Sequence, residues 1–331
     1  MRVCVFGAGA IGGFIGGRIA ASGVPTSAVA RGATLAALNA HGWRIEAGGG
    51  PVSAPVTATS DPSELGEQDV VILALKAQTL PAAAPSISPL LGPETMVLTA
   101  MNGIPWWFFE GFGGPCEGLK LQSVDPGAGA GTGIAAAIPI RHILGGVVHM
   151  SCSVPEPGLV RHHSGTGLII GEPNHEASAR VREVTETLRA AGLDVTISTQ
   201  IHTDIWYKLW GNLTINPVSA LTGATADLIL DDDLVRAFCH AAMREAQRIG
   251  DRIGCPIEQT PEERNKVTRE LGAFKSSMLQ DAEAGRPLEL DALVGAVREI
   301  GAAVGEPTPA VDTLLGLTRL SAKVRQSRSS P

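Results

Sequence analysis

Lys208, Asn212 and Asn216 recur every four positions within the stretch IHTDIWYKLWGNLTINP, residues 201–217. On an α-helix that spacing stacks them along one face, with Ile205, Trp206, Leu209 and Leu213 to the sides. A lysine ammonium can stabilise negative charge growing on an oxygen and then supply the proton that quenches it. Carboxamides on a rigid helix can hold a polar ligand in position meanwhile. Such a stripe either faces water or lines a cleft. Burying an ammonium and two amides without partners is costly, and the aromatic surroundings, with Pro217 expected to end the helix, favour the lined cleft.

A second constellation opens the chain, in MRVCVFGAGAIGGFIG. The apolar run Val3, Cys4, Val5 and Phe6 can be a buried parallel strand, and Ile11, Phe14, Ile15 and Ile19 suit a helix. Between them lies Gly7-Ala8-Gly9-Ala10-Ile11-Gly12, which fits the dinucleotide fingerprint: Gly7 for the tight turn, Gly9 for close approach of a pyrophosphate, Gly12 for packing helix on strand. The first helical N–H groups would then face the phosphates. In a chain with 40 glycines the bare motif matches easily, so the strand before it and the helix after it carry the inference.

The elements needed to position these groups follow in alternation. A strand at 26–30 ends at Arg31, where a site selective for NAD usually places an acid; an arginine there can instead accept a 2′-phosphate. After a helix at 33–41, strands near 43–46 and 52–57, and a helix start at 61–64, the strand 69–75 ends at Lys76. A helix over 78–91 leads to the strand 95–100 and then Asn102-Gly103. Lys76 and Asn102 therefore sit beyond strand carboxyl ends, where open α/β sheets bind ligands, although Asn-Gly is also an ordinary turn signal. Four of the thirteen aromatics fall in IPWWFF, 104–109, either a buried helix face or a wall beside a nicotinamide. GAGAGTG, 127–133, has no strand before it and is expected to be a turn. Strands at 143–153, 158–162 and 168–171, a helix at 176–191 and a strand at 195–198 complete a first domain, residues 1–199. Helices at 201–217, 231–253, 261–280, 289–304 and 309–323 form a second, residues 200–325, with 326–331 a disordered tail. The fold class expected is α/β: an N-terminal Rossmann-like dinucleotide-binding domain followed by an all-α C-terminal domain.

Composition excludes several classes of function. At 331 residues two domains are the default, and 44% apolar residues can fill ordinary cores. No run of eighteen uncharged apolar residues suggests a membrane span. A net charge of −7 without a basic cluster before the tail argues against nucleic acid. The five cysteines are dispersed and contain no C-x-x-C pair, and the adjacent His162 and His163 would point to opposite faces of a strand, so no disulfide framework or metal site is expected. No separate cleavable segment is expected ahead of the glycine loop, which points to a cytoplasmic location.

Taken together, GAGAIG at 7–12, LK at 75–76, NG at 102–103, WYKLWGNLTINP at 206–217 and SSMLQD…GRPLELD at 276–291 resemble the ketopantoate reductases, collinearly over nearly the whole chain. The resemblance implies a Rossmann domain and a helical domain with NADPH in the cleft between them. It implies that Gly7 to Gly12 and Arg31 hold the cofactor, with Lys76 and Asn102 near its nicotinamide half and Ser153 a weaker candidate. It makes Lys208 the proton donor, gives Asn212, Asn216 and Ser277 to the substrate, and assigns Glu289 to the cofactor ribose or the Lys208 network. The implied reaction is NADPH-dependent reduction of a 2-oxo acid to a 2-hydroxy acid, 2-dehydropantoate to (R)-pantoate in the pantothenate pathway, by an enzyme for which a homodimer is among the allowed assemblies. Ala226 and Phe274 stand where the family's substrate-contacting asparagines are expected, so a different 2-oxo or 3-oxo acid is the alternative. A non-catalytic NADPH-binding sensor is a further one, disfavoured because a sensor needs only the first domain.

Overall fold

The computed structural model describes residues 1–270 and 272–329. The chain divides into two compact units, Met1–Gly113 with Asp125–Asp204, and Gly114–Val124 with Ile205–Pro331. Where the sequence suggests one cut at 199/200, the structure cuts at Asp204 and also gives the excursion Gly114–Val124 to the second unit. Glu299 holds that excursion, accepting from the Gln122 and Ser123 N–H groups at 2.7 and 2.9 Å.

The first unit is built on ten strands: β1 (Val3–Phe6), β2 (Thr26–Val29), β3 (Trp43–Ala47), β4 (Gly50–Ala54), β5 (Thr57–Thr59), β6 (Gln68–Leu73), β7 (Leu91–Thr99), β8 (Ile143–Glu156), β9 (Leu159–Gly171) and β10 (Asp194–Ser198). Their order is β4-β3-β9-β8-β7-β6-β1-β2-β5, with β10 beside β9. The run β5-β2-β1-β6-β7-β8 is parallel, and in chain order it reads 3-2-1-4-5-6, the Rossmann arrangement. β1 and β6 are buried throughout apart from Asp69, as continuous apolar runs require when both faces are covered. Helix α1 (Ala10–Ala21) packs so closely that a Cβ at Gly13, Gly16 or Gly17 would fall within 2.7 Å of Val160, Val5 or Ile45. Helix α2 (Gly32–His41) follows β2.

Several expected elements differ. The strands at 158–162 and 168–171 are one long strand, β9, antiparallel to β8. The helix expected over 78–91 is the one-turn α3 (Leu80–Ala83) between 3-10 turns, because Pro81, Pro85 and Pro89 each remove a helical donor. A second one-turn helix, α4 (Ile134–Ala137), follows the glycine-rich turn, and α5 (Ala179–Ala190) is capped by the Ser178 hydroxyl, which accepts from Val181 N–H at 3.2 Å.

The second unit carries α6 (Ile201–Thr222), whose first residues belong to the first unit, then α7 (Ala226–Asp231), α8 (Asp233–Ile253), α9 (Pro261–Arg269), α10 (Ser277–Glu283), α11 (Ala296–Val304) and α12 (Pro309–Ser329). α8 buries Cys239, Ala242, Met243, Ala246, Ile249 and Ile253 at helical spacing; Asp232 caps it and Gly254, at φ +84°, ends it. Pro217 does not end α6. The helix continues to Thr222 without one backbone bond, since residues 213–220 are all buried and packing holds the last turn. The helix expected over 261–280 breaks into α9 and α10, with Gly272 left-handed between them. α12 runs past the expected helix end at 323 and the expected domain end at 325, and the last two tail residues lie outside the described residues. No helix among the described residues is long and apolar enough to cross a membrane.

Candidate active site

In the first unit the expected cofactor residues gather along one edge of the sheet. Phe6 is level with Val29 and Leu73, and Leu73 with Thr99, so Gly7, Arg31, Lys76 and Asn102 all lie just past the carboxyl ends of adjacent parallel strands. β1 and β6 flank the point where the strand order reverses, the crevice in which such sheets bind dinucleotides. Gly7 has φ +104°, and a Cβ there would stand 2.8 Å from the Ala74 carbonyl oxygen. At Gly12 a Cβ would come within 2.1 Å of the Gly7 oxygen, so the turn itself demands glycine. Gly9 differs: a Cβ would meet no protein atom within 4 Å. What glycine preserves there is room beside the loop for an incoming group, as a pyrophosphate requires. The first turn of α1 has neither an acidic residue nor a side-chain cap, which leaves Ala8, Ala10 and Ile11 in a backbone cradle suited to an anion.

Around that loop, Lys76 is fixed by its own carbonyl, which accepts from the Thr79 N–H at 2.9 Å and hydroxyl at 2.7 Å. Asn102 is half-buried ahead of left-handed Gly103. Arg31 is the exposed N-cap of α2, and its side chain makes no ion pair among the described residues. Ser153 stands apart, eight residues along β8 from the Gly145 level, and its hydroxyl pairs with His163 Nε2 at 2.8 Å.

IPWWFF is a buried turn of the first unit's core. Trp107 and Phe108 meet the His202 ring edge-on at 5.6 and 5.4 Å, and Phe112 stacks on it at 4.3 Å. Burial, then the neighbouring His175, pushes the His202 imidazole down to about 3, so it stays neutral. These contacts account for the segment as packing; a wall beside the nicotinamide is not needed to explain its burial.

In the second unit, α6 presents the polar stripe. Its opposite side is locked: Trp206, Leu209, Trp210 and Leu213 are buried, and Trp210 Nε1 donates to the Met243 carbonyl of α8 at 2.8 Å. Lys208 is half-buried and Asn212 likewise, while Asn216 is 5% exposed. Burial lowers the Lys208 ammonium to about 8 against the opposing pull of the Glu289 carboxylate. Glu289 is itself buried and lies two residues before Asp291–Gly295, a segment in which the chain makes a π-helical turn before α11. Such turns re-aim side chains locally. The helix expected from 289 thus opens as a π-helical turn, and the Glu289 carboxylate acts on the Lys208 charge.

Of the serine pair, Ser276 is fully buried, caps α10 and shares a hydrogen bond with Ser219 at 2.5 Å. Ser277 is left exposed at the first turn. Ala226 and Phe274 meet through a backbone bond of 3.0 Å and pack in one apolar cluster with Ile215, Val218 and Leu314. Sequence reasoning passed over Arg264, whose guanidinium lies 5.6 Å over the Tyr207 ring and against Gly211. Its only sequence signal was that glycine in mid-helix.

Comparison with known proteins agrees with both halves. Residues 3–105 match the family described as ketopantoate reductase PanE/ApbA, and residues 200–322 match its C-terminal family. A 2-dehydropantoate 2-reductase of Mesorhizobium japonicum is 46% identical over 320 residues, covering 96% of this chain and 97% of that one. A solved structure from Ralstonia solanacearum MolK2, described as a ketopantoate reductase, has a TM-score of 0.93 at 56% identity and covers 98% of each chain. At 20% identity a D-mandelate dehydrogenase, solved with NADH and anilino(oxo)acetate, shares the fold with a TM-score of 0.82, covering 98% of this chain and 99% of its own. With a dinucleotide-type loop in one unit, a lysine–amide stripe in the other and relatives matching over nearly its full length, the chain belongs to the ketopantoate reductase family.

Proposed function

We propose that this protein reduces 2-dehydropantoate to (R)-pantoate with NADPH. The observation that carries the proposal is Lys208: a half-buried ammonium lowered to about 8, beside a buried carboxylate and on the same helical stripe as two amides. NADPH, when bound, would supply the hydride for the C2 carbonyl carbon. Lys208 stabilises the negative charge that grows on the carbonyl oxygen and transfers its proton to it. Glu289 keeps Lys208 charged in a site whose burial works the other way. Asn212, Asn216 and the exposed Ser277 hold the substrate's polar groups.

Gly7, Ala8, Gly9, Ala10, Ile11 and Gly12 would seat the pyrophosphate, Arg31 the 2′-phosphate, and Lys76 and Asn102 the nicotinamide half. Ser153 is a secondary contact, since His163 already engages its hydroxyl. Glu289 as a ribose ligand is a second role for the same carboxylate. A homodimer in the cytoplasm is the proposed setting. Steady-state NADPH oxidation with a panel of 2-oxo acids tests the reading; no turnover with any of them would leave a binding protein in its place.

A further inference from the structure

Among the described residues, Arg264 is the half-buried arginine whose side chain has neither an acceptor nor an ion pair, and its Nε is buried without a partner. Arg31, Arg141, Arg182 and Arg319 are exposed, where water serves them. The carboxylates next to it in sequence are occupied: Glu262 pairs with Arg244 and His240, and Glu263 closes the capping box with Thr260. A buried guanidinium donor left unmatched is costly, and a planar fork of donors is the natural receptor for a carboxylate.

Its position is held from two sides. The Tyr207 ring lies beneath the guanidinium at 5.6 Å, and the Tyr207 hydroxyl donates to Gln259 Oε1 at 2.7 Å. Gly211 admits the fork against α6: a Cβ there would stand 2.6 Å from Nη2 and 2.9 Å from Nε of Arg264. Glycine weakens a helix interior, and here it leaves space for a cation. On a regular helix Gly211 lies one turn beyond Lys208 and next to Asn212, so the guanidinium flanks the stripe already assigned to the substrate.

We infer that Arg264 is a substrate-binding residue that receives the carboxylate of the 2-oxo acid. The inference rests on the functional reading above and deepens it: Lys208 acts on the carbonyl oxygen, Arg264 holds the acid group, and the amides take the remainder. The class of substrate is then an anionic oxo acid rather than a neutral ketone.

The test uses the full-length protein. The NADPH-bound form, which cannot turn over the product, is titrated calorimetrically with (R)-pantoate and with neutral pantolactone. Arg264→Ala is expected to weaken pantoate roughly 30- to 1000-fold, the range for removing one partner of a desolvated charge pair, and to leave pantolactone within about threefold. Gly211→Ala, which keeps the charge but displaces the fork, should weaken pantoate with no loss of thermal stability, because alanine favours the helix. Arg264→Lys should recover part of the pantoate affinity. Pantoate binding within about threefold of wild type in Arg264→Ala would overturn the inference, as would equal losses for acid and lactone. The functional reading fails separately, if the unmodified protein oxidises NADPH with none of the 2-oxo acids. If the active acid is another one, its hydroxy acid and the corresponding amide replace pantoate and pantolactone in the same titration.

Discussion

The glycine loop of the first unit and the polar stripe of α6 prepare for ligands in opposite ways. In the loop the backbone carries the site: Gly7 and Gly12 are required by the protein's own atoms, Gly9 by nothing within 4 Å, and the groups offered to a ligand are main-chain N–H donors. On α6 the helix is fixed from behind by Trp206 and Trp210, and every group offered is a side chain: two neutral amides and a lysine whose charge is tuned by burial and by Glu289. A backbone site reads the shape and charge of a constant cofactor. A side-chain site is free to set which acid is accepted and when the proton moves.

The sharpest way to break this division is Lys208→Ala. Turnover should fall by roughly 10²–10⁴ while the NADPH dissociation constant, from fluorescence titration, stays nearly unchanged. Comparable loss of cofactor affinity would merge the two sites into one. In the loop, Gly12→Ala should cost roughly 1–3 kcal/mol of folding stability or more through the clash with the Gly7 carbonyl. Gly9→Ala should leave the melting temperature nearly unchanged and still weaken NADPH. Arg31→Ala should remove a preference for NADPH over NADH worth about 1–3 kcal/mol, with equal affinities in the unmodified protein counting against the assignment.

Lys208 also sets a pH signature. With Lys208 as the proposed donor, reduction consumes its proton, so the reductive rate should be flat below pH about 8 and decline above it. Since Glu289 raises the lysine, Glu289→Gln should move that decline to lower pH. For stability the sign is fixed by a folded-state value, about 8, below the ordinary 10.5. Between them the unfolded chain binds more protons, so stability of the cofactor-free protein should rise with pH across that window, and Lys208→Ala should abolish the rise.

Features set by local backbone demands were legible in the sequence. The glycine loop, the strand ends at Lys76 and Asn102, and the spacing of Lys208, Asn212 and Asn216 all follow from periodicity and glycine placement. What escaped depends on contacts between distant segments. The excursion Gly114–Val124 joins the second unit through Glu299, Pro217 stays inside α6 because its surroundings are buried, and Arg264 reaches Gly211 from another helix. Ser276 and Ser277 are equivalent on paper, and only the cap on α10 separates a buried structural hydroxyl from an exposed one.

The catalytic efficiencies for ketopantoate and 2-oxoisovalerate at saturating NADPH probe the α6 stripe itself. Ala226 and Phe274 sit in an apolar cluster and offer no side-chain hydrogen bond to the 4-hydroxyl. Ketopantoate should therefore be reduced with only a modest preference over the analogue lacking that group. A preference above roughly a thousandfold would show that Asn212 and Asn216 read the hydroxyl unaided. Absence of NADPH oxidation with either acid, and with the rest of the panel, would contradict the assignment of the α6 stripe as a reductase site.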